Sequence, residues 1–182
     1  MFENKRSRLV TTLFIALQLF ANARSVKAEN IDGHSQLWNA LNAVGVRVVL
    51  NHPEDCKGQF SGVYDSPRGY INICQDNATE PFSAVEWTTN DFDTLRHEAQ
   101  HVIQDCNEGK LADGLLSPMF DNAQNRDLFI AESLPDNAIK KITLDYAKAP
   151  LGVLDNELEA WSVARVISAE SIARKVIEYC GV

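Results

Sequence analysis

Asn90-Asp91-Phe92-Asp93-Thr94-Leu95-Arg96-His97-Glu98-Ala99-Gln100-His101-Val102-Ile103-Gln104-Asp105-Cys106 carries two superposed patterns. Phe92, Leu95, Ala99, Val102 and Cys106 recur at three- and four-residue steps, which predicts a helix with one apolar face. Asn90 is the expected N-cap, and Asp91 and Asp93 suit the positive end of the helix dipole. Inside the same helix, His97 to His101 spells H-E-x-x-H. Residues four apart share a face, so both imidazoles can point at one ion while Glu98 reaches a water beside it. That face lies nearly opposite the apolar one. The histidines are therefore expected on the polar side of an amphipathic helix; the bland alternative is two solvated rings that share a face by chance.

Upstream, residues 35–44 read as a short helix with Leu37, Trp38, Leu41 and Val44 at helical spacing, and residues 46–50 as a strand. Gly62-Val63-Tyr64 sits among turn residues, and residues 70–74 alternate like a further strand. The sequon Asn77-Ala78-Thr79 falls in a polar segment and is read as a surface loop. Downstream, residues 107–117 form a Gly-, Asn- and Asp-rich loop. Helices are expected over 123–133 and 137–146, separated at Pro135. A last helix is expected from about residue 156 to Cys180, with Asp155 as N-cap and a kink near Ser168. The fold class expected is α+β, a small β section packed on a mainly helical core.

Lys5, Arg6 and Arg8 precede an apolar run over residues 9–21, and Val26-Lys27-Ala28 is a small-x-small sequence. This reads as a signal peptide, residues 1–28, followed by a single domain, residues 29–182. Ala21-Asn22-Ala23 offers a second cleavage point, and an uncleaved anchor is the alternative, for which the apolar run is short. Loss of residues 1–28 takes the formal charge from -8 to about -12. An acidic chain without a Lys/Arg cluster repels phosphate backbones and anionic lipid, so neither nucleic acid nor a stable membrane association is expected. Secretion or a periplasmic location is expected instead. Cys56, Cys74, Cys106 and Cys180 are an even set, read as two disulfides with Cys56–Cys74 and Cys106–Cys180 favoured. No C-x-x-C pair is present to suggest a cysteine metal site.

Two histidines do not complete a catalytic zinc site, which takes three protein ligands and leaves a position for water. The extended metzincin pattern would place His at position 107, where Asn107 stands. Glu157 is the leading third ligand: on a helical wheel it joins Ala160, Trp161, Ala164 and Ser168 on a packing face. Glu159 falls with Ser162 and Val166 on the other side, expected to be solvated or an acceptor behind a ligand histidine. Asp113 ranks next, ahead of Glu132 and His52.

His97, Glu98, His101, Glu157 and Ala160 resemble the gluzincin arrangement of the zincin metallopeptidases, in which H-E-x-x-H is completed by a Glu in a later E-x-x-A helix. Trp161 stands where such families often have an acidic residue. Asp113 resembles, by position alone, the third ligand of the aspzincin arrangement. The resemblance implies a zincin-like core and a secreted zinc-dependent peptidase acting on peptide or protein, with Zn2+ held by His97, His101 and Glu157. Glu98 would be the general base. A tyrosine often helps in such sites, and the spacing selects neither Tyr146 nor Tyr179. By analogy, the strand over residues 70–74 would offer an edge to extended peptide. The competing readings are a non-catalytic, disulfide-stabilised binding or structural protein and a zinc hydrolase acting on a non-protein amide.

Overall fold

A computed structural model describes residues 31–58, 60–109 and 111–181. The expected signal peptide and its cleavage points lie outside the described residues. The described chain is α+β, with a short helix and three strands followed by five helices.

Helix α1, Ile31–Ala43, buries Leu37 and Leu41, one turn apart, at zero exposure. It starts four residues earlier than apolar spacing alone predicts. The added turn carries His34, whose ring packs 4.3 Å from that of Phe92, a tertiary contact to which periodicity is blind. Strands β1 (Arg47–Leu50), β2 (Gly62–Asp65) and β3 (Tyr70–Ile73) form one mixed sheet in the order β1-β3-β2. β1 runs parallel to β3 and β2 antiparallel to it. The strand expected to offer a peptide-binding edge, residues 70–74, is therefore the central one, buried at all four of its residues. Both its edges are used by neighbours, and β1 and β2 are the outer strands. Asn72, fully buried in β3, spends its amide on the His52 N–H and the two sulfurs of Cys56–Cys74.

Helix α2, Thr89–Glu108, packs against β2 and β3, and also against the two C-terminal helices. Its cap is Thr88 rather than Asn90. The Thr88 hydroxyl accepts from the Asp91 N–H while the Asp91 carboxylate accepts from the Thr88 N–H, satisfying two otherwise orphaned donors reciprocally. Asn90 turns outward to Asp76. Helices α3 (Ala123–Ser133) and α4 (Asp136–Asp145) part at Pro135 and close a small second cluster around Ile130, Leu134 and Ile142.

The expected long last helix is two, α5 (Val153–Val166) and α6 (Ala169–Cys180). Ile167 is extended and the Ser168 hydroxyl caps α6 by accepting from the Ser171 N–H. That break lets α5 lie on α2 while α6 swings onto α1. Asp155 lies inside the first turn of α5, paired at 2.8 Å with Arg126. Both favoured disulfides are present, Cys56–Cys74 and Cys106–Cys180. Such bonds persist in oxidising compartments outside the cytosol. Among the described residues, no helix is long and apolar enough to cross a membrane.

Candidate metal centre

The face of α2 that bears His97 and His101 was expected to be its polar, wet side. It is polar but dry. His97, Glu98, Gln100, His101, Gln104 and Asp105 are all buried: α5 covers His97, Gln100, His101 and Gln104, while Glu98 and Asp105 lie against β2, where Asp105 accepts from the Tyr64 and Ser66 hydroxyls. A helix hidden on both sides needs partners for every polar group it buries, and here α5 supplies many of them.

The Nε2 atoms of His97 and His101 stand 3.1 Å apart. Glu157, on α5, brings Oε2 to 3.4 Å from His97 Nε2 and Oε1 to 3.5 Å from His101 Nε2. Ligand atoms about 2.0–2.1 Å from a tetrahedral zinc ion stand about 3.3–3.4 Å from one another. The two imidazoles and one carboxylate thus have the spacing and chemistry that such an ion takes. An oxygen of Glu98 and a nitrogen of each ring also lie within 4.8 Å of one another, so Glu98 borders the same point.

The electrostatics follow from burial. Burial pushes the Glu98 carboxyl up to about 7, opposed by the His97 charge and reinforced by Glu157, while the Tyr64 backbone N–H donates to it. Burial and the neighbouring His97 charge lower His101 to about 4, which keeps that ring neutral. Burial also works against charge on His97 and Glu157. Their close approach and mutual attraction outweigh it, raising His97 and lowering Glu157.

Two further side chains enter the centre, Tyr146 and Trp161. Tyr146, just past α4, sets its hydroxyl against Glu157, and burial followed by that carboxylate raises its pKa. Trp161, one turn after Glu157, lays its ring 4.5 Å from that of His97 and stays 37% exposed, so it walls the site. Tyr179 is elsewhere, on α6 beside Lys175.

Glu159 is not solvated. It is fully buried, and its carboxylate accepts from Gln100, Gln104 and the backbone N–H groups of Met119 and Phe120. The signal that could have found it is Gln100 and Gln104, two amides one turn apart on a buried helix that need acceptors.

The other candidates sit away from the cluster. Asp113 is exposed and accepts from the Leu115 N–H in a local turn. Glu132 is exposed on α3. His52, past the end of β1, has Nδ1 3.5 Å from Asp55 and its ring edge-on to Phe82.

The chain belongs to a family described as a domain of unknown function (DUF8637), which it matches over residues 14–180. No curated protein and no solved structure matches it.

Proposed function

We propose that the protein is a secreted or periplasmic zinc-dependent hydrolase that cleaves peptide bonds, with His97, His101 and Glu157 as metal ligands. The observation that carries this reading is the triangle of buried donor atoms 3.1–3.5 Å apart, contributed by two helices from distant parts of the sequence. Two imidazoles and a carboxylate suit zinc and leave a position for water. A zinc ion bound there would supply a Lewis acid and bring the pKa of its water toward 7.

Glu98, buried and bordering the same point as the two imidazoles, accepts the proton of the attacking water and returns it to the leaving amine nitrogen. Tyr146 holds its proton at Oη and donates it to Glu157, steadying that ligand carboxylate.

Zinc per chain, measured on the purified mature protein, is expected near one. Glu157→Ala should lose it and Asp113→Ala should retain it. Glu98→Gln should keep the metal and lose roughly 100-fold or more in hydrolysis of a peptide library. A chain that takes up no zinc would leave the cluster a buried His97–Glu157 ion pair, and the protein a disulfide-stabilised binding or structural one.

A further inference from the structure

Gln104 is fully buried on α2, one turn beyond His101, and both ends of its amide are committed. Its Nε2 donates to the Asn156 carbonyl and to Glu159 Oε1, each at 3.0 Å, and its Oε1 lies 2.8 Å from His101 Nδ1. We propose that Glu159 is a positioning residue for His101, fixing through Gln104 the tautomer that presents an Nε2 lone pair to the metal. This role rests on His101 being a metal ligand, as proposed for the centre.

The groups that face the amide decide its orientation. Rotating Gln104 by half a turn would set its oxygen against the Asn156 carbonyl oxygen, which has no proton to give, and against Glu159, whose oxygens already accept from other donors. The two acceptors therefore dictate that Nε2 faces them. Oε1 must then face His101, and only a proton on Nδ1 makes that contact a hydrogen bond. The Nε2 of His101 is left as a lone pair toward the site, 3.1 Å from His97 Nε2.

Glu159 itself is anchored from several directions. Besides Gln104, Gln100 donates to it from the same helix at 2.9 Å, and the Met119 N–H donates from the 117–122 segment, also at 2.9 Å. With the Phe120 N–H, four donors hold this carboxylate in place, which is what a fixed reference for another side chain requires. His97 has no such support. Among the described residues its Nδ1 has no hydrogen-bond partner, and its ring is held by the Trp161 face instead. The two ligand histidines are thus oriented by different means, one by a relayed carboxylate and one by packing. Partners of this kind behind a metal ligand are worth about 10–100-fold in metal affinity.

The tautomer can be read directly. Long-range 1H–15N correlation of the imidazoles in the metal-free mature chain should show His101 protonated at Nδ1 and unprotonated at Nε2. Glu159→Gln and Gln104→Leu should turn that single state into a mixture and weaken zinc binding about 10–100-fold, with the disulfides and the fold intact. An Nε2–H tautomer in the unmutated chain overturns the proposal, even where neither variant folds. So does a folded Glu159→Gln chain with His101 unchanged. Because the tautomer is recorded without metal, a pure Nδ1–H signal from a chain that binds no zinc would sink the metal reading alone.

Discussion

Glu98 is buried between α2 and β2, so its ionisation bears on stability as well as on chemistry. Its pKa in the folded chain is about 7, against 4.5 for an ordinary glutamate. Between those values the unfolded chain has released a proton that the folded chain still holds. Stability therefore falls as pH rises through this window, and the loss is complete above about 7. Glu98→Gln removes the loss. In metal-free protein the variant should gain on the unmutated chain by a few kcal/mol on going from about pH 5 to about pH 8, read from denaturant titrations at both. An equal difference at the two pH values would contradict a strained carboxylate here.

At the scale of elements, Gly62 is a point of close approach between β2 and α2. A Cβ on Gly62 would come 2.5 Å from Thr94 Cγ2 and 3.1 Å from Glu98 Oε1. Gly62→Ala must push α2 away from β2 or displace Glu98. The expected cost is about 1–3 kcal/mol, a fall in Tm of roughly 5 °C by calorimetry. The same closeness of elements separates what the sequence discloses from what it hides. His97, Glu98 and His101 are fixed by local helical spacing, and Glu157 follows from a wheel that groups it with small residues. Those four are legible in the order of the amino acids alone. The burial of their helix face, the place of Glu159 and the arrival of Tyr146 are not, because each depends on how α5 lies across α2. That placement is set by the break at Ile167 and Ser168, which reads in sequence only as a kink. Strand order is hidden for a similar reason: the apolar pattern of residues 70–74 is compatible with an edge or a centre until β1 pairs beside it.

Across the whole molecule, the site is assembled from two parts of the chain that the Cys106–Cys180 disulfide holds together. His97 and His101 precede the first of these cysteines, while Tyr146, Glu157, Glu159 and Trp161 all fall between the two. Cys106 lies in the last turns of α2 and Cys180 ends α6. Loop closure over 74 residues of sequence separation makes this bond worth about 4 kcal/mol in the chain-entropy view. Exchange of both cysteines for serine should lower the denaturation midpoint accordingly.

The polypeptide from Cys106 to Cys180 is, covalently, a ring, and a ring survives one cut. Lys148 and Leu151 lie exposed in the turn between α4 and α5, open to a protease such as trypsin. Nicked after Lys148, the protein should run as one species without reductant and as two fragments with it. On the proposed reading of the centre, the nicked form should hold added zinc until the disulfide is reduced. The centre would then outlive the continuity of the chain that built it.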